Sequence, residues 1–231
     1  MNMYFSLITA AEGRESAAAH ERMRADAYAD HQWLWRFFRT VPGGSREFLF
    51  RRQDRADAPR YYVVSQTQPD GGNSAWSVQS REYAPILRPG DQLQFDLRAN
   101  PVVTVTDGNQ SRRHDVVMHG KKLLLQQRGL SAWAQWKESD KPALADLVRD
   151  TCSTWLDQRA ERLGCEIDRD SLAVEAYEQH RGKGEKVQFS TVDFSGGLTV
   201  VEPTRMLDAL YRGVGHAKAF GCGLLLVRRS A

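Results

Sequence analysis

Apolar residues in this chain switch repeatedly between a two-residue and a 3.6-residue period, and that alternation constrains the fold more than any other feature. Gln92-Leu-Gln-Phe-Asp-Leu-Arg98 alternates strictly. This is the pattern of a strand with one buried face, because successive side chains on a strand point to opposite sides. In His31, Leu34, Trp35 and Phe38 the spacing is instead i, i+3, i+4, i+7, which lines one face of a helix. Asp26 ahead of that stripe supplies an N-cap, and Pro42-Gly43-Gly44 stops the helix beyond about residue 39.

Read along the chain, residues 3–9 form a strand, 11–25 a polar stretch without assigned structure, and 46–52 and 60–66 two more strands. Residues 76–83 fit either period. Pro89-Gly90 marks a boundary. Beyond it lie the strand at 92–98 and a hairpin with arms at 102–106 and 112–118 around Asp107-Gly108. A helical region follows over 121–163, then strands at 171–178 and 187–201, with a phase change at Ser190-Thr191 that implies a bulge. A short helix over 203–212 has Pro203 in its first turn, and a buried strand at 224–228 closes the chain.

Strand, helix, two strands, then a second set ending in helix and strand is the order of two tandem ferredoxin-like units, an α+β fold. The expected division is an N-terminal domain of residues 1–89 carrying the first helix and a C-terminal domain of residues 90–231 carrying the hairpin and a glycine-rich loop. Such a topology implies no function by itself.

Composition narrows the class. No run approaches the ~18–20 apolar residues of a membrane span. The first ten residues are too short for a signal peptide and lack its basic start. Cys152, Cys165 and Cys222 form no CxxC and cannot all pair, which points to a reducing, cytoplasmic setting. Net charge is only +3, but the 32 basic residues are 25 Arg and 7 Lys. Arginine's planar fork suits phosphate, although an arginine-rich genome gives the same bias. Walker loop, HExxH, nucleophile elbow and dinucleotide fingerprint are all missing, and the six histidines are scattered. No metal and no cofactor is expected.

Four constellations remain. Tyr28 and His31, three apart, share a helix face. Imidazole exchanges protons near neutral pH, whereas a phenol needs a nearby cation. The same pair is also what an ordinary amphipathic helix would show. The segment from Gly213 to Leu225 holds Gly213, Gly215, Gly221 and Gly223 with Lys218 between them; glycines let a backbone approach a phosphate chain, or simply turn tightly. Arg112, Arg113, Lys121 and Lys122 lie on and beyond the hairpin arm, and Lys183 and Lys186 sit in a cationic loop. Each of these clusters suits nucleic acid or a solvated turn.

Read in order, these segments resemble the CasE family of CRISPR-associated endoribonucleases, the repeat-processing subunits of type I-E Cascade. The resemblance rests on Tyr28-Ala-Asp-His31-Gln-Trp-Leu-Trp-Arg-Phe-Phe38, Arg46-Glu-Phe-Leu-Phe-Arg51, Leu97-Arg-Ala-Asn-Pro101 and the loop from Gly213 to Leu225, spread over most of the chain. It implies two ferredoxin-like domains and metal-independent cleavage of precursor CRISPR RNA 3′ of each repeat stem-loop. His31 takes the place of the family's catalytic histidine and Tyr28 that of the tyrosine one turn before it; His20 is given no catalytic role. Arg112 and Arg113 fall where the family grips the stem, and Lys183 and Lys186 in the loop nearing the cleavage region. The implied partners are the repeat stem-loop RNA and the other Cascade subunits, with the backbone subunit at the 3′ end of the guide RNA. The free chain is expected to be a monomer with no membrane contact. Two rival readings stand beside this one: a catalytically silent RNA-binding scaffold of the same fold, and a ferredoxin-like metabolic enzyme holding a phosphorylated ligand in the glycine-rich loop.

Overall fold

A computed structural model of the chain describes residues 2–23, 25–39, 48–71, 75–108, 110–137, 139–181 and 188–230. In chain order the strands and helices are β1 (Tyr4–Ala10), α1 (Glu15–Arg22), α2 (Ala27–Leu34), β2 (Phe48–Gln53), β3 (Arg60–Ser65), β4 (Trp76–Glu82), β5 (Gln92–Ala99), β6 (Val102–Asp107), β7 (Gln110–Asp115), α3 (Val116–Gln127), α4 (Leu144–Leu163), β8 (Cys165–Ile167), β9 (Ala173–Arg181), β10 (Gln188–Val200), α5 (Pro203–Arg212) and β11 (Leu225–Arg229). Contacts divide them into two compact units. The first is Met1–Leu87 with Leu207–Leu226, and the second is Arg88–Met206 with Val227–Ala231. The chain is thus an α+β protein with two sheet-rich units.

In the first unit the antiparallel strands run in the order β2-β3-β1-β4, with β1 between β3 and β4. Its main core is aromatic. Trp33 packs edge-on against Phe37 (4.9 Å between centroids) and Trp76 (4.7 Å), and lies 5.1 Å from Tyr61. Each such pair is worth about 0.5–1.5 kcal/mol beyond the area it buries. Helix α1 occupies the stretch to which the sequence assigned no structure. It escapes a periodicity reading because it contacts the core through small residues, Ala18 and Ala19, and through one carboxylate rather than an apolar stripe. That carboxylate, Glu21, accepts from the indoles of Trp33 (3.0 Å) and Trp76 (2.8 Å) and from Arg36 (3.1 Å).

In the second unit the order is β11-β5-β10-β8, and β9 also pairs with the long β10. The expected bulge exists, but its extra residue lies on β9. Between the pairs Thr191↔Glu178 and Asp193↔Glu175, β10 advances two residues and β9 three. Ala176 absorbs the difference in the left-handed region (φ 50°). Strands β6 and β7 form a separate two-stranded ribbon. The sequence carried its second arm to residue 118; the strand instead ends at Asp115, whose side chain accepts from Met118 N (2.7 Å) and caps α3. The β-branched pair Val116-Val117 mimics a strand there, but the cap decides.

Residues 46 and 47 of the quoted second strand and the loop lysines Lys183 and Lys186 lie outside the described residues. The expected domains meet at Pro89/Gly90; contacts divide the chain at Leu87/Arg88. The glycine-rich loop differs from expectation: it packs with the first unit, not with residues 90–231.

Candidate active site and RNA-contacting residues

Helix α2 starts where Asp26 Oδ1 accepts from Ala29 N at 2.7 Å, satisfying one of the unpaired amides of the first turn. Its regular α-turns end at Leu34, and a 3-10 turn over Trp35–Phe37 continues the apolar stripe. Two anchors fix the helix. One is Glu21. The other is Asp30, 0% exposed, which is reached by Arg22, by Arg52 Nη1 (3.0 Å, to Oδ2) and by the Tyr61 hydroxyl (2.8 Å, to Oδ1).

Burial works against charge on both arginines, but the hydrogen bonds and charge of Asp30 outweigh it and raise their pKa values. Burial and the Asp30 carboxylate push the Tyr61 phenol far above its ordinary range. All three donors are therefore protonated at neutral pH. Sequence reading missed this cluster; its signal was an acid one residue before the candidate histidine on an otherwise apolar helix.

With Asp30 held on one side, α2 carries Tyr28 and His31 on another. Tyr28 is 51% exposed, and its ring lies 6.0 Å from Phe220. His31 is half-buried, with ring centroids of Phe48, Trp35 and Phe50 at 5.6, 6.1 and 6.3 Å. Phe220 belongs to a short 3-10 turn (Lys218–Phe220) inside the glycine-rich loop. That loop closes on itself through Val214 N to Gly223 O (2.8 Å). A Cβ on Gly213 would stand 2.8 Å from Gly223 O, and one on Gly223 2.7 Å from Val214 O, so neither position admits a side chain. At Gly221 a Cβ would come within 3.2 Å of the Phe50 ring, the same ring that flanks His31.

The structure therefore brings Tyr28, His31 and the loop holding Gly213, Gly215, Gly221 and Gly223 together in one unit. Lys218, expected to offer its charge to phosphate, donates to the last carbonyl of α5, Arg212 O, at 2.5 Å.

The remaining described candidates belong to the second unit. Arg112 and Arg113 are exposed neighbours on β7, opposite Val105 and Thr104, so they project from opposite faces of the ribbon. Arg112 donates to Gln110 Oε1 at 3.0 Å. The ribbon's end is tied to the main sheet at Asp115, which also accepts from the hydroxyls of Tyr177 (3.1 Å) and Ser190. Burial and that carboxylate raise the Tyr177 pKa strongly. Lys121 and Lys122 are on α3; the ammonium of Lys121 sits 5.0 Å from the Trp133 ring, and Lys122 is exposed. Among the described residues no three His, Cys, Asp or Glu side chains come together as a metal cage, and no helix is long and apolar enough to cross a membrane.

A family model described as "CRISPR associated protein" matches residues 3–229. The chain belongs to this family of CRISPR-associated proteins, which includes CasE and Cse3. It is 29% identical over 204 residues to the Cascade subunit CasE of Escherichia coli K12, covering 87% of this chain and 90% of that one. It is also 29% identical over 225 residues to the CRISPR-associated endoribonuclease Cse3 of Thermus thermophilus, covering 92% and 94%. Among solved structures, a Cse3 endoribonuclease bound to a 19-nucleotide RNA superimposes with a TM-score of 0.67 at 25% identity, covering 99% of this chain and 100% of that one.

Proposed function

We propose that this CasE-family chain binds and processes CRISPR RNA, cutting it 3′ of the repeat stem-loop without a metal ion. The observation that carries the reading is the convergence of Tyr28, His31 and the glycine-rich loop on one helix-and-strand corner. The RNA-bound Cse3 that matches end to end supports the substrate class. Strand orders β2-β3-β1-β4 and β11-β5-β10-β8 both match a ferredoxin-like sheet and favour reading each unit as one.

RNA carries its own nucleophile. The 2′-oxygen attacks the adjacent phosphorus as its proton passes to a base on the enzyme; the bond to the 5′-oxygen breaks, and that oxygen receives a proton from an acid. The products are a 2′,3′-cyclic phosphate and a 5′-hydroxyl, and no water is consumed. His31 serves as one proton-transfer group and Tyr28 as its partner, orienting or deprotonating the 2′-hydroxyl. Gly213, Gly215, Gly221 and Gly223 keep the loop thin enough for a phosphate chain to approach, Arg112, Arg113, Lys121 and Lys122 grip the stem by phosphate and shape, and Lys183 and Lys186 serve the RNA near the cleavage region. The product stays bound, which fits a subunit that remains in Cascade beside its backbone subunit. The free chain is a cytoplasmic monomer in this reading.

Replacing the single 2′-hydroxyl at the cut site by hydrogen tests the chemistry: cutting should stop while binding persists, and cutting that survives refutes 2′-oxygen attack. A second reading, a silent RNA-binding scaffold, draws on the packing of His31 against three aromatic rings. It predicts tight binding with no cleavage by the unaltered protein.

A further inference from the structure

The first unit has a second surface with the chemistry of a nucleic-acid site, away from Tyr28 and His31. Side chains of its four strands sort alternately onto two faces. Ile8, Tyr61, Val63, Phe48, Phe50 and Trp76 form the core with the helices. The opposite face presents Phe5 and Leu7 from β1, Arg60 and Tyr62 from β3, and Gln79 and Arg81 from β4. At one end of that face α5 and Leu224 cover the sheet: Tyr211 donates to Tyr83 O at 2.8 Å, and Leu224 packs with Met3, Leu49 and Val64. The other end is open at Gln79 and Arg81, which are exposed; Leu7 and Arg60 are half-buried, and Phe5 and Tyr62, also half-buried, border the covered cluster, with the Tyr83 ring 5.4 Å from Phe5.

Register makes these residues neighbours. Leu7 lies between Tyr62 and Gln79, and Phe5 between Val64 and Arg81. The Phe5 and Tyr62 rings are 6.1 Å apart. Each ring has a guanidinium near it, Arg81 at 5.7 Å from Phe5 and Arg60 at 5.1 Å from Tyr62. Charge on this face has one sign. Of the residues in β1 to β4 only Glu82 is acidic, and alternation puts it on the side opposite Arg81. Arg60 and Arg81 fall on this face; Arg51 shares it but is buried.

Two rings capped by arginines on a sheet face to which the strands contribute no acid suit stacked bases joined by phosphates. A duplex hides its base faces, so only an unpaired strand can use the rings. We propose that the open end of this sheet face binds single-stranded RNA, with bases stacking at Phe5–Arg81 and Tyr62–Arg60 and phosphates running along the arginines. The proposal is independent of whether the chain cleaves RNA.

The test is fluorescence-anisotropy titration of the full chain with labelled eight-nucleotide oligouridine and, separately, with a blunt stem-loop RNA lacking flanks. Wild type is compared with Tyr62→Leu and with the double variant Arg60→Ala/Arg81→Ala, and stem-loop cleavage is measured alongside. Losing one stacked base should weaken oligouridine binding ~5- to 100-fold in Tyr62→Leu. Losing two phosphate contacts should flatten its log–log salt slope by about 1.4 in the arginine pair. Stem-loop binding should stay within about twofold in both. Should Tyr62→Leu fail to fold, the arginine pair alone decides the matter through its salt slope. Oligouridine that ignores wild type, or that binds the folded variants as it binds wild type, overturns the proposal, as does an equal loss of stem-loop binding.

Discussion

Helix α2 and the β6–β7 ribbon both carry charge, at opposite ends of the burial scale. On α2 the acid Asp30 is sealed from water and takes Arg22, Arg52 and Tyr61, so the helix that presents Tyr28 and His31 has little freedom to shift. On the ribbon Arg112 and Arg113 stand in solvent on opposite faces, and its base is held through Asp115 and through the Val102 carbonyl, which accepts from Trp155 and Arg159. Proton transfer demands donors and acceptors placed to within a fraction of an ångström, whereas phosphate contacts tolerate adjustable arginines. On the proposed function, the same residue types serve positioning where they are buried and grip where they are exposed.

Breaking the buried side of this contrast should have the largest effect. Asp30→Ala leaves the buried Arg22 guanidinium and the Tyr61 phenol without their carboxylate and Arg52 with Asp54 alone, and urea denaturation should find the chain destabilised by about 3–5 kcal/mol. A loss below about 1 kcal/mol would mean that α2 is held by its aromatic packing alone. Asp115→Ala removes the α3 cap and the acceptor for Tyr177 and Ser190, and should cost about 2 kcal/mol in the same assay. If it costs nothing, the ribbon's base is not anchored there.

On the exposed side, Arg112→Ala and Arg113→Ala should leave stability within about 0.5 kcal/mol and each reduce the salt slope of stem-loop binding by about 1. Unchanged slopes in both would remove the ribbon from the RNA interface.

The smallest effect concerns thiols. Burial, with help from Asp115, raises the Cys152 pKa to about 12, and burial, with Glu166, raises that of Cys165 to about 11. Native alkylation at pH 8 should be negligible at both and complete after denaturation. Because the unfolded thiols ionise near pH 9 and the folded ones later, stability should fall as pH rises from about 9 to about 12. Fast native alkylation would contradict their burial.

How much of this was legible in the sequence follows the same division. Strict alternation announced β5, the i, i+3, i+4, i+7 stripe announced α2, and Pro203 opened α5 at the residue observed. Those elements are specified by their own apolar pattern. Helix α1 was not legible, because its link to the core is the Glu21 carboxylate received by two indoles, a long-range arrangement with no local period. The three-residue β8 is too short to show alternation. For the candidate site, the pair Tyr28 and His31 could be read from helical spacing, but the loop's arrival against Phe50 and Tyr28 could not, since it joins residues about 170 to 190 positions apart. The Asp30 cluster was hidden for the same reason: its partners come from α1, β2 and β3.

The most direct test of the central claim is cleavage of labelled type I-E repeat stem-loop RNA in excess EDTA by wild type and by His31→Ala, with both binding and the product's end groups measured. A single cut 3′ of the stem leaving a 2′,3′-cyclic phosphate, slowed ~10²–10⁴-fold in His31→Ala with affinity retained, is the result expected of a proton-transfer helix. Tight binding with no cut by wild type, or equal cutting by both proteins, would contradict it and return His31 to the aromatic core.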